Sequence, residues 1–186
     1  MGRRLMQEWQ LPPVLFSAEA VGKRVREMAE QISADYAGRE LLVVGILKGS
    51  WIFLADLVRQ LSIPAYIDFM TVSSYGASTK TSGVVKIVLD LKCPLENRDV
   101  LVVEDILDSG LTLKYILEGL RLRKPRSLKV AVLMDKPARR RVSIEADYVG
   151  FTVPDKFVVG YGADHAERFR NLPYIGYVEP PAGEAR

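Results

Sequence analysis

Residues 102–112 read VVEDILDSGLT: an apolar, β-branched run meets two adjacent carboxylates, Glu104 and Asp105, then a loop of small residues, then the start of an amphipathic helix. Residues 100–103 are too few and too β-branched for a helix, whereas Leu113, Ile116, Leu117 and Leu120 recur at helical spacing through residues 112–123. Residues 108–112 therefore bridge a strand and a helix. A helix N-terminus presents unpaired backbone N–H groups and partial positive charge. Ser109 and Thr112 add hydroxyls there, and Gly110 leaves no Cβ in the way of an anion. That arrangement suits a phosphate monoester. Glu104 and Asp105 repel the phosphate itself but accept hydrogen bonds from the hydroxyls of an attached sugar, or hold a cation. The ligand implied is a phosphorylated sugar.

The flanking sequence alternates the two periodicities. Residues 17–36 place Val21, Val25, Met28, Ile32 and Tyr36 three or four apart, an amphipathic helix with Ser17 as its cap. Residues 41–47 are a short apolar run of the kind buried on both faces, and Gly49 and Ser50 open a second helix through Leu61. Residues 65–72 and 84–89 read as strands joined by a mobile connector, SSYGASTKTSG, at 73–83. A further strand at 128–134 follows the central helix. The tail from 138 holds short strands at 148–153 and 158–161, punctuated by Pro and Gly, and reads as a small lobe. Alternation of strands and helices predicts a mostly parallel α/β sheet, whose ligands bind outside the carboxyl ends of its strands. Lys48, residues 104–112 and Lys136 then converge on one cleft.

With 186 residues and 48% of them apolar, the chain can bury a core as one domain. A single cysteine, Cys93, excludes an internal disulfide, suits a reducing cytoplasm and is given no role. No apolar stretch has the length of a signal core or a membrane span, so a soluble, cytoplasmic protein is expected. The net charge of +3 and a pI near 9.0 suit phosphorylated substrates and nucleic acid equally. The run from Arg139 to Arg141 reads as a solvated basic face, and His165 as a surface residue.

Five elements in order resemble the phosphoribosyltransferases that bind 5-phosphoribosyl-1-pyrophosphate, closest to their hypoxanthine-guanine branch. They are LKGS at 47–50, SSYG at 73–76, the acid pair with DSGLT at 104–112, Lys136, and PDKFVVG at 154–160 with Asp164 and Arg170. The resemblance covers nearly the whole chain. It implies a type I phosphoribosyltransferase fold: a core of about residues 15–135 under a hood from the N-terminal segment and about residues 136–186. It also implies magnesium-dependent transfer of the phosphoribosyl group to a 6-oxopurine, in a homodimer or homotetramer.

The resemblance assigns roles as well. Glu104 and Asp105 would meet the ribose hydroxyls and magnesium, although neighbours in an extended strand face opposite ways unless the strand has begun to turn. Asp108, otherwise a helix cap, would be catalytic beside purine N7. Asp108, Ser109, Gly110, Leu111 and Thr112 would hold the 5′-phosphate, with apolar Leu111 a departure from relatives that carry a polar or basic residue. Lys48, Gly49 and Arg170 would bind pyrophosphate, in a turn where related enzymes often carry a non-proline cis peptide. Ser74 and Tyr75 belong to a lid. Lys136, Phe157, Val158 and Asp164 would form the purine pocket, Asp164 also serving a second metal. A Lys ammonium only donates hydrogen bonds, so Lys136 complements a C6 carbonyl and opposes the amino group of adenine. The rival is a regulator of pyrimidine operons, which shares the loop but binds messenger RNA; an acid at Asp108 speaks against it.

Overall fold

The computed structural model describes residues 11–74 and 85–178. Along the chain run β1 (Val14–Phe16), α1 (Ala18–Asp35), β2 (Leu41–Leu47), α2 (Trp51–Val58), β3 (Ala65–Ser74) and β4 (Val85–Leu89). Then come β5 (Asp99–Leu107), α3 (Leu111–Arg121), β6 (Ser127–Asp135), a 3-10 turn (Pro137–Arg139), β7 (Tyr148–Thr152), β8 (Phe157–Val159) and β9 (Ile175–Val178). Six strands form one sheet in the order β4-β3-β2-β5-β6-β7, parallel throughout except for antiparallel β4 at its edge. The mostly parallel sheet read from the alternating periodicities is the one observed. A second, antiparallel sheet orders β1-β9-β8 and so joins the N-terminal segment to the tail.

Burial on both faces explains the composition of the central strands. On one face α1 and α2 pack against Leu41, Val43, Leu101, Val103, Ala131 and Leu133; on the other α3 packs against Leu42, Val44, Val100, Val102, Val130 and Val132. Leu113, Ile116, Leu117 and Leu120 of α3 are all buried, each contributing about 1.5–3 kcal/mol by leaving water. The Ser17 side chain caps α1 by accepting from the Ala20 N–H at 3.2 Å. Arg24 of α1 donates to the carbonyls of Val149 and Gly150, at 2.7 and 3.0 Å, and ties the helix to β7.

Several details differ from the sequence reading. β7, there assigned to the hood, pairs with β6 and completes the main sheet. β5, by contrast, runs through both acids to Leu107, so the loop begins at Asp108 as the sequence reading has it. α3 starts one residue early at Leu111, and α2 ends at Val58. β3 runs on through Ser74, and most of the expected connector, Tyr75 included, lies outside the described residues.

Candidate active site

The carboxyl ends of β2, β5 and β6 bring their following loops together, as parallel strands with crossover helices must. Within β5, residues 100–103 alternate strictly between the two cores. Beyond them the alternation breaks, since Ile106 packs on the α1–α2 side and Leu107 on the α3 side. Glu104 and Asp105 occupy the place where the strand changes its facing. Burial pushes the Glu104 carboxyl well up, and the charge of Asp105 pushes it further. Asp105 is itself pushed up to about 6, by burial first and by Asp164, against the opposing pull of its own and Ile106's N–H groups and of Arg170. Glu104 Oε2 is buried and has no hydrogen-bond partner among the described residues.

The turn after β2 closes onto Asp105. The Leu47-Lys48 peptide is cis. Gly49 lies so close that a Cβ there would stand 2.1 Å from Asp105 Oδ2. On the opposite side, a Cβ on Gly162, whose φ is +107°, would stand 2.0 Å from the Gly49 carbonyl oxygen. Two glycines thus let the backbone of the β2 turn touch the carboxylate of the β5 acid and the backbone of the hood loop. Arg170 completes the contact: its guanidinium donates to the Gly162 carbonyl at 2.9 Å and pairs with Asp164 at 2.8 Å and Glu167 at 3.3 Å. Lys48 reaches the same Glu167 at 3.2 Å, so Glu167 joins both basic residues expected at the pyrophosphate. Arg170 Nε is buried without an acceptor among the described residues.

The next loop carries the anion-binding geometry. Gly110 caps α3 with φ +81°, a left-handed conformation that favours glycine, so Asp108 is not the helix cap. Ser109 Oγ accepts from the Leu111 N–H at 3.4 Å, and Leu111 is 40% exposed. Asp108 Oδ1 is buried and accepts no hydrogen bond among the described residues. Behind this loop lies the segment read as a solvated basic face; Arg139 and Arg141 are exposed as expected, and the structure corrects the reading at Arg140. Arg140 is mostly buried; it donates to the carbonyls of Leu107 at 3.0 Å and Asp108 at 2.6 Å and pairs with Asp135. Arg139 pairs with Asp155 at 2.6 Å. The Arg141 N–H donates to the Ser109 carbonyl at 2.9 Å.

Lys136 follows β6. Its N–H donates to the Leu107 carbonyl at 3.0 Å, and its buried ammonium donates to the Lys156 carbonyl at 2.8 Å, beside Phe157 and Val158. Lys136 thereby links the end of β5 to the start of β8. The Phe157 ring is half-buried and meets His165 edge-on with centroids 5.0 Å apart, while Val158 is buried. Apart from Ser74, described by backbone alone, and Tyr75, the residues expected at the site are gathered on this end of the sheet. Glu167 and Arg140 were missed: the first by an ordinary surface composition, the second by its place in a basic run.

Among the described residues no three His, Cys, Asp or Glu side chains form a ready cation cage. Glu104 and Asp105 nonetheless offer hard carboxylate oxygens, one of them orphaned. Such a pair fits a small divalent cation that takes its remaining ligands from water and a phosphorylated substrate.

A family model described as a phosphoribosyl transferase domain matches residues 15–166. The chain is 49% identical over 180 residues to a hypoxanthine-guanine phosphoribosyltransferase of Bacillus subtilis, covering 97% of this chain and all of that one. It is 53% identical over 167 residues, 90% of its length, to the bifunctional protein TilS/HprT of Listeria innocua, of which it spans only 26%. Among solved structures, a hypoxanthine phosphoribosyltransferase from Staphylococcus aureus superposes with a TM-score of 0.89 at 47% identity, covering 96% of this chain and 97% of the other. A hypoxanthine-guanine phosphoribosyltransferase from Bacillus anthracis gives 0.87 at 46%, covering 91% and 100%. Motif order, sheet topology and whole-chain similarity agree, and the chain belongs to the phosphoribosyltransferase family, with the type I fold and its relatives in the hypoxanthine-guanine branch.

Proposed function

We infer that this chain is a cytoplasmic, magnesium-dependent hypoxanthine-guanine phosphoribosyltransferase. It forms inosine or guanosine monophosphate and pyrophosphate from a 6-oxopurine and 5-phosphoribosyl-1-pyrophosphate. The observation that carries this reading is the three-way contact of Gly49, Asp105 and Gly162, which brings the β2 turn, the acid strand and the hood loop onto one ligand-sized region beside the Asp108 loop. The small sheet of β1, β8 and β9 is the hood of a single domain.

The purine N9–C1 bond forms, the C1–O bond to pyrophosphate breaks, and the N7 proton, held by the Asp108 carboxylate, passes from the imidazole to solvent. The backbone N–H groups at the start of α3, with Ser109 and Thr112, hold the 5′-phosphate; Gly110 and Leu111 contribute backbone alone. Glu104 and Asp105 accept from the ribose hydroxyls, and their oxygens would hold magnesium, with Asp164 available to a second ion; magnesium, when bound, would supply charge neutralisation on the pyrophosphate. Arg170 and the backbone at Lys48 and Gly49 orient the leaving group. Asp108 stabilises the N7 proton through a charge-assisted hydrogen bond. Lys136 donates to the C6 oxygen, Phe157 stacks on the base, and the Val158 backbone reads its edge. Ser74 and Tyr75 belong to a lid that excludes water. The enzyme works as a homodimer or homotetramer.

The test offers hypoxanthine, guanine, xanthine, adenine and uracil separately with magnesium and the phosphoribosyl donor, and separates nucleotide products by chromatography. Inosine and guanosine monophosphate without adenosine monophosphate are expected. Turnover of uracil alone, or of no base, overturns the reading.

A further inference from the structure

We propose that Arg140 is a positioning residue for Asp108. It grips the last two carbonyls of the acid strand while anchored on Asp135, and so fixes the direction in which the Asp108 carboxylate is presented to the purine. The inference rests on the phosphoribosyltransferase reading of the site and adds a residue outside the motifs that carry that reading.

The sheet stops holding the chain at Leu107, the last residue of β5. At that point the Leu107 carbonyl accepts from the Lys136 N–H and from Arg140 Nη1, both at 3.0 Å, and the Asp108 carbonyl accepts from the same Nη1 at 2.6 Å. The other arm, Nη2, pairs with Asp135 at the end of β6. One guanidinium therefore bridges the ends of two neighbouring strands. Its side chain is 17% exposed and that of Asp135 21%, so the fork works largely out of water.

Among the described residues no hydrogen bond directs the carboxylate that this fork serves, and the charge it feels is that of Arg139. Asp108 Oδ1 is buried without a donor among the described residues, so its aim follows from the backbone at position 108, whose carbonyl Arg140 holds. The same segment backs the phosphate loop: the Arg141 N–H binds the Ser109 carbonyl, and an added Cβ on Gly110 would meet Ile144, Val142 and Arg140 at 2.6–3.2 Å. A lysine presents a compact ammonium without the planar fork and cannot span two carbonyls and a carboxylate in this geometry.

The experiment measures kcat and both KM values for wild type, Arg140→Ala, Arg140→Lys, Asp108→Asn and the Arg140→Ala/Asp108→Asn double variant, with folding checked by thermal melting. Misplacement of a reacting group by about 1 Å costs up to about 100-fold. Arg140→Ala is therefore expected to lower kcat about 10- to 100-fold with the purine KM within about threefold. Arg140→Lys recovers only part of the loss. In the Asp108→Asn background, loss of Arg140 costs less than about threefold, because its effect passes through Asp108. A purely structural role lowers the melting temperature and the folded fraction but not kcat per folded molecule, whereas an effect on kcat that bypasses Asp108 multiplies with Asp108→Asn. Either of those outcomes overturns the proposal. Should Arg140→Ala not fold, Asp135→Asn, which removes only the anchor, carries the same criterion. Normal kcat in Asp108→Asn overturns the role of Asp108 itself; a crippled Asp108→Asn beside a normal Arg140→Ala overturns this inference alone.

Discussion

Gly49→Ala isolates the contact that brings the site together. The added methyl would stand 2.1 Å from Oδ2, 2.4 Å from Cγ and 2.7 Å from Oδ1 of Asp105. Carbon and oxygen rest about 3.3 Å apart at their closest comfortable approach, so one partner must yield by roughly 1.2 Å. Gly49 does not have a positive φ, so its backbone accepts alanine and the collision alone is at issue. Retreat of the turn is blocked, because its carbonyl already fills the place a Cβ on Gly162 would need. The carboxylate therefore swings away and gives up the N–H groups of Asp105 and Ile106 and its attraction to Arg170. A displacement of about 1 Å in a positioning group costs about 100-fold, near 2.7 kcal/mol of barrier. Initial rates against phosphoribosyl pyrophosphate should show kcat/KM reduced by about that factor, alongside a stability loss of about 1–3 kcal/mol from overpacking. The decisive comparison adds Asp105→Ala. With the carboxylate gone the methyl has room, so Gly49→Ala should cost little in that background. Equal costs in both backgrounds, or a single variant within about threefold of wild type, would refute the reasoning.

Asp108→Asn should lower kcat about 10²- to 10⁴-fold with smaller effects on substrate binding, and near-normal turnover in the folded variant defeats its catalytic role. Lys136→Gln removes an ammonium held at 2.8 Å by the Lys156 carbonyl. It should lower kcat/KM for hypoxanthine about 10- to 100-fold and narrow the discrimination against adenine; discrimination unchanged from wild type contradicts the assignment. Magnesium alone should leave the melting temperature nearly unchanged, whereas magnesium with phosphoribosyl pyrophosphate should raise it, since no three ligating side chains converge among the described residues. A rise with magnesium alone would count against the two-carboxylate site. Asp68 offers a test of stability against pH. Burial pushes its carboxyl up, but the backbone N–H groups of Cys93, Phe69 and Lys92, at 2.8–2.9 Å, outweigh that and hold it below the ordinary value. A depressed folded pKa stabilises above the unfolded value of about 3.9, and the contribution is lost as pH falls through the folded pKa. Asp68→Asn should thus cost about 1–3 kcal/mol at neutral pH and progressively less below about pH 4; a cost independent of pH refutes the account.

The elements readable from sequence are those whose cause is local. Leu113, Ile116, Leu117 and Leu120 declare α3 because a helix repeats every 3.6 residues, and Ser17 declares the start of α1 because a hydroxyl there satisfies an orphan N–H. Arg140 could not be read the same way. Its partners, the carbonyls of Leu107 and Asp108, lie 33 and 32 residues away, and a carbonyl carries no side-chain signature to match against a basic run. The meeting of Gly49 with Gly162 is invisible for a related reason: what matters is the absence of an atom where two distant backbones touch. β7 was misassigned because five residues bounded by turns read alike in a hood and at a sheet edge; only pairing with β6 distinguishes them.

The course of β5 bears on function in another way. Charged residues ordinarily end a buried strand, yet β5 continues through Glu104 and Asp105. Both carboxyls are held above their ordinary values by burial, and the charge of Asp105 raises Glu104 further. Two buried like charges are a cost that a fold selected for stability alone would relieve by exposing or replacing them. Here the cost stands beside a Glu104 oxygen and an Arg170 Nε that are buried without partners among the described residues. Donors from a sugar and a bound cation would satisfy the carboxylates, and an anionic leaving group would satisfy the arginine. The residues that make the bare protein less stable are thus those whose bonding is completed by the substrate. Ordinary burial rules are broken where the fold leaves bonds for a ligand to make, and at β5 that breach is itself a marker of the site.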